Sequence, residues 1–136
     1  MSTKIFVNLP VKQLDTSMAF YTALGFKNNP QFTDETAACM VVSEEIYVML
    51  LTHPKFKMFT PKEISDATKT SEVLNCLSRE SRAEVDGIVK HAVAAGGSTF
   101  NDPVDHGFMY AHAFQDPDGH IWEVMWMNPN YVQEQG

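Results

Sequence analysis

Asp116-Pro117-Asp118-Gly119 is a tight turn set between two apolar-aromatic runs, Gly107–Gln115 and His120–Met127. Asp at the first turn position, Pro at the second with φ preset, and Gly at the fourth suit a type I turn. The flanking runs are therefore predicted as two strands of an antiparallel hairpin. The second run carries a single carboxylate, Glu123. Side chains alternate along a strand, so Glu123 shares a face with Ile121, Met125 and Met127, while Trp122, Val124 and Trp126 take the other. Both faces are apolar. A carboxylate buried in such company must be paired, hydrogen-bonded or bound to a metal; at a sheet edge or beside a Lys or Arg it would be purely structural.

If Gln115 pairs with His120 across the turn, His112 falls directly opposite Glu123 on the same face. That register predicts a carboxylate orienting an imidazole, the arrangement that tunes a proton-transfer histidine and equally an ordinary structural hydrogen bond. Tyr110 lies two residues from His112 on the same strand face. It would donate a hydrogen bond to a substrate oxygen or serve as a core tyrosine with a satisfied hydroxyl. His106 and His120 stand in or beside turns, where histidines are commonly solvated.

Working outward, 136 residues make one compact unit able to bury a real core. The 44% hydrophobic content excludes a disordered chain. Ten Lys and Arg against seventeen Asp and Glu give a net charge of -7. With no basic stripe, this argues against nucleic acid or a membrane surface as a partner. Met1–Lys4 leads straight into a strand-like run without a signal-peptide core or a long apolar span, so the expected location is cytoplasmic. Cys39 and Cys76 stand alone within strand patterns and are read as small buried, free thiols.

Ile5–Val11 reads as a strand, and Asp15-Thr16-Ser17 supplies capping residues for a helix running to about Leu24 and stopped by Gly25. Phe26–Phe32, Ala37–Val42 and Ile46–Thr52 follow as a meander of strands. Glu72–Ser78 then gives a further strand, and Ser81-Arg82-Ala83-Glu84 is a capping box opening a helix that ends at Gly96-Gly97. Val85, Ile88, Val89, Ala92 and Val93 form its core stripe. Ser98–Asn101, Gly107–Gln115 and His120–Met127 complete the order. The chain reads as a single α+β domain of two βαβββ modules, about residues 4–52 and 71–128, joined by a long excursion over 53–70. Phe56, Met58 and Phe59 lie in that excursion, which is a plain linker, a lid or a contact surface.

The paired βαβββ plan, Phe20-Tyr21 followed by Leu24-Gly25-Phe26, and Asp116-Pro117-Asp118-Gly119 with Glu123 resemble the glyoxalase / bleomycin-resistance / extradiol-dioxygenase (vicinal oxygen chelate) superfamily. Within it, the chain is similar to bacterial lactoylglutathione lyase-related proteins. The resemblance covers nearly the whole chain. It implies curved mixed sheets with helices outside, a concave small-molecule cavity, and a homodimer. In metal-dependent members the first and fourth strands of each module contribute ligands, typically His, Gln or Glu. Placed on this chain, those positions fall on Phe6, near Leu50, near Leu74 and on Glu123. Three of the four are apolar, and divalent ions want several N or O donors. No cofactor is therefore expected, and a divalent metal held by His112 and Glu123 alone would have fewer than the three protein ligands usual for catalytic zinc.

Three functions remain open from sequence. One is a lyase or isomerase acting on a small organic molecule, with a degraded metal site, His112 as acid/base and Glu123 orienting it. The second is a non-catalytic binding or sequestration protein of the bleomycin-resistance type, with Phe6, Asn8, Leu50, Leu74, Tyr110 and Met125 contacting the ligand. The third is a dimer without an open cavity, its large side chains filling the space.

Overall fold

In the computed structural model, which describes residues 2–131, the chain forms two four-stranded sheets. The first contains β1 (Ile5–Val11), β2 (Lys27–Asn29), β3 (Ala37–Val41) and β4 (Ile46–Thr52), ordered β1-β4-β3-β2. The second contains β5 (Asn75–Ser78), β6 (Val104–Asp105), β7 (Met109–Gln115) and β8 (Ile121–Met127), ordered β5-β8-β7-β6. In each, the first strand runs parallel to the fourth and the others are antiparallel. This is one topology used twice. Helix α1 (Leu14–Ala23) covers one face of the first sheet and α3 (Arg82–Ala94) one face of the second. A short helix, α2 (His53–Lys57), opens the excursion between the modules. Both sheets are open and uncurled, in contrast to the curved, concave sheets expected.

Each sheet is divided by strand alternation into a helix-covered face and an open face. On the covered faces Leu9, Leu50 and Ala38 form one row and Trp122 and Phe114 another, all buried. The two covered faces share one hydrophobic core, stitched by contacts of Phe20 with Phe114 and of Tyr21 and Phe26 with Trp122. Full burial of each such side chain contributes about 1.5–3 kcal/mol, so the modules cohere mainly through these rings.

Four local expectations change. Helix α1 begins at Leu14, after Gln13 and with no side-chain cap, and Ser17, expected among the capping residues, is buried and donates to Asp118 of the other module. The Phe26–Phe32 run yields only three strand residues before Asn29 caps a 3-10 turn at Pro30, whose ring removes a ladder donor. The strand expected at Ser98–Asn101 is reduced to a bridge between Ser98 and Gln115, and Val104–Asp105 takes its place in the sheet. At α3, Ser81 does cap the amide of Glu84, while the Glu84 carboxylate reaches the amide of Glu80. Val93 stands 47% exposed rather than in the core stripe.

The hairpin register is the correction with most consequence. The Gly119 amide donates to Asp116 O, closing the expected turn, but Gly119 itself adopts φ +92°. A left-handed residue after a type I turn makes a three-residue loop. Asp116 therefore faces His120, and Gln115 pairs with Ile121. Every pair shifts by one residue. His112 lies opposite Val124 and Glu123 opposite Ala113, which puts imidazole and carboxylate on opposite faces of the sheet.

Candidate functional site

The Asp116–His120 turn fastens the two modules together. Asp116, 3% exposed, accepts the Tyr21 hydroxyl at 2.6 Å on Oδ2, and the Asp118 and His120 amides at 3.0 and 2.9 Å on Oδ1. Trp122 Nε1 donates to the same Tyr21 oxygen at 2.9 Å. Burial pushes the Asp116 carboxyl above the usual carboxylate range, partly opposed by the nearby His120 and the Tyr21 hydrogen bond. The Tyr21 phenol is driven well up by burial and by Asp116, so it remains a donor. Asp118 extends the clamp by accepting the Lys12 amide at 2.9 Å and the Ser17 hydroxyl at 3.2 Å. Motif residues that looked like neighbours of chemistry are thus anchors between β1, α1 and β8.

Beside this clamp lies a cavity of about 280 Å³, near the lower end of the usual size for small-molecule sites. Asn8 and Pro10 of β1 form one wall; Asn75, His120 and Ile121 form the opposite one. The excursion roofs it with Phe56, Thr60, Glu63, Ser65, Ala67 and the 70–73 segment. A second recess of about 410 Å³ adjoins it, sharing Pro10, Glu63, Ser65, Ala67 and His120, and adds His53, Lys12, Lys57, Asp66 and Asp118. The roof is held closely. A Cβ built on Gly119 would stand 2.7 Å from Ala67 O, so only glycine lets the excursion approach the turn. Residues 53–73 are a cover over the seam rather than a plain linker.

The side chains singled out in the sequence divide between two surfaces. His112 is on the α3 side, its ring Nε2 2.8 Å from Asn101 O and 3.2 Å from Thr99 Oγ1. A carbonyl only accepts, so Nε2 carries the proton and the ring secures the 98–103 segment. Tyr110 is on that side too, donating to Asp86 at 2.6 Å, which pushes its phenol up to about 12. Leu50 is fully buried in the core. None of these three lines the seam cavity. Phe6, Asn8, Glu123 and Met125 do lie on the open faces, and of the sequence-derived set Asn8 alone lines the cavity. Leu74 is half-exposed just ahead of β5.

The repeat also re-places the expected ligand positions. Phe6 pairs with Tyr47 in the first sheet as Cys76 pairs with Glu123 in the second. The fourth-strand position is therefore Tyr47, not Leu50, and the matching first-strand position is Cys76, not Leu74. Phe6 and Tyr47 stack with ring centroids 4.6 Å apart. Cys76 is exposed, not buried as expected; partial desolvation and the neighbouring Glu123 push its thiol up, away from the thiolate that binds metals. Among the described residues no group of three or more His, Cys, Asp or Glu side chains is placed to hold an ion. These four residues do not fit a metal centre of the kind the resemblance implies.

The solved structures share this architecture. Hypothetical protein SA1046 from S. aureus is 28% identical, with a TM-score of 0.78, covering 93% of this chain and 94% of that one. A glyoxalase/bleomycin resistance protein/dioxygenase family enzyme from Burkholderia phytofirmans PsJN is 17% identical, with a TM-score of 0.78 over 93% of this chain and 99% of that one. The chain has the vicinal oxygen chelate fold. Residues 3–43, spanning β1 to β3, match the family model described as bleomycin resistance protein-like N-terminal. The genomically encoded fosfomycin resistance protein FosX from Listeria monocytogenes has this fold too, at 17% identity and a TM-score of 0.67, covering 99% of this chain and 96% of that one. No curated protein matches the sequence. Within the vicinal oxygen chelate fold, the seam cavity of this chain was missed by sequence reasoning because it is built from the excursion and from His120. The one available signal was the glycine at 119, which marks a close backbone approach.

Proposed function

We propose that the protein binds a small organic molecule in the seam cavity without a metal centre, as a binding or sequestration protein of the bleomycin-resistance type. The observation that carries this is the roofed cavity of about 280 Å³ between β1 and β8, where Leu9, Pro10, Phe56, Val73 and Ile121 offer apolar surface among polar residues such as Asn8, Asn75 and His120. The competing lyase or isomerase reading loses its acid/base pair, since His112 and Glu123 face opposite ways.

The half-exposed Phe6 and Leu74 support a homodimer that covers the open faces. Free Cys39 and Cys76 accord with a reducing, cytoplasmic location. None of the described helices is long and apolar enough to cross a membrane. Thermal denaturation against a small-molecule library, with and without EDTA, tests the reading. A ligand at one hundred times its Kd adds about 2.7 kcal/mol. The account expects chelator-insensitive stabilisation; stabilisation or turnover that appears only with added divalent metal would restore the enzyme reading.

A further inference from the structure

His120 stands where the two recesses meet, and both of its ends are fixed. Its amide is bound to the buried Asp116 at 2.9 Å, and its ring Nε2 lies 2.7 Å from Pro10 O on the opposite wall. Because that carbonyl can only accept, Nε2 must carry the proton, and in the neutral ring this leaves Nδ1 as a bare acceptor. No described residue donates to it. No buried side-chain nitrogen or oxygen among the described residues lacks a partner, so this unpartnered Nδ1 is not sealed off, and His120 lines both recesses. Asn75 lines the same wall of the cavity. Both Asp116 oxygens and both Asp118 oxygens already take donors from the chain, so the acceptors that rival Nδ1 are the Glu63 and Glu72 carboxylates of the cavity lining.

We propose that His120 Nδ1 anchors the ligand, and that the ligand is an uncharged, ring-sized molecule presenting an O–H or N–H donor on an apolar body. This rests on the seam-cavity binding reading above and adds to it the class of molecule. The apolar part packs on Pro10, Phe56 and Ile121, and the donor meets Nδ1. A neutral ligand is selected over an anion because Glu63, Asp66 and Asp118 outnumber Lys12 and Lys57 around the adjoining recess. The ring is rigid before binding, so little ordering is lost when the hydrogen bond forms.

Phenol and its methyl ether anisole differ by the hydroxyl proton and are the probes. Titrated into 15N-labelled protein, phenol should saturably shift the amides of Asn75, His120 and Ile121. Anisole should bind about fivefold more weakly, the worth of one neutral hydrogen bond. His120→Phe should reduce phenol to the level of anisole. Long-range 15N–1H spectra, which need no variant, should show the Nε2–H tautomer at His120 with an Nδ1 signal that moves on phenol binding. Equal binding of the two probes, or a His120 proton on Nδ1, overturns the anchor while leaving the cavity as a binding site. No response at these amides to either probe overturns both.

Discussion

Replacing Tyr21 with phenylalanine removes one oxygen and unties three residues in the wall between the modules. Trp122 Nε1–H loses its acceptor at 2.9 Å, and Asp116 Oδ2 loses its donor at 2.6 Å, while the ring packing against Phe20, Phe26 and Trp122 is retained. An orphaned buried N–H costs about 1–3 kcal/mol, and a hydrogen bond to a charged group contributes about 1.5–3. Because the two bonds share one oxygen and the site relaxes, a combined loss of about 3 kcal/mol is expected, a large part of the roughly 5–15 kcal/mol that holds a domain together. Urea denaturation followed by tryptophan fluorescence measures it. The loss should also depend on pH. Burial raises the folded pKa of Asp116 above its unfolded value of 3.8, so its contribution is fully present below the unfolded pKa and is lost as pH rises through the folded one. Tyr21 holds that folded pKa down, so Tyr21→Phe raises it further and deepens the loss at neutral pH. The variant should therefore be hurt more at pH 7 than at pH 3. A change below about 1 kcal/mol, equal at both pH values, would refute the clamp.

Gly119→Ala places a side chain at φ +92° against the Ala67 carbonyl. It should cost at least about 1–2 kcal/mol and speed hydrogen exchange at Lys69 and Thr70, whose amides are bound to Asp66 in the roof. Glu123→Gln should leave the NMR titration of His112 unchanged, because the two side chains lie on opposite faces; a shifted curve would restore the original register. Elemental analysis after dialysis should find no stoichiometric divalent metal, and one tightly held ion per chain would show that Cys76 and Glu123 bind it with donors beyond those described.

The module order and most elements could be read from the sequence because each carries its own local signal. Gly25 and Gly96 take the positive φ that ends their helices, and Ser81 caps its helix as its type and spacing require. The site was less legible because it depends on register. One left-handed glycine at 119 turned a four-residue connection into a three-residue loop and moved every β7–β8 pair by one, separating His112 from Glu123. The same sensitivity displaced the ligand positions, since Leu50 and Tyr47 are three apart in sequence and therefore on opposite faces. The cavity arises from contacts more than a hundred residues apart, such as Pro10 with His120, for which no local pattern exists.

Crystals of the protein soaked with small aromatic fragments in the presence of EDTA test the central claim most directly. The account predicts ligand density in the seam, against Asn8, Asn75 and His120 and beneath residues 60–73, with no metal present. Ligand found only on the open face beside Phe6, Tyr47, Cys76 and Glu123, and only when a divalent ion is supplied, would contradict it.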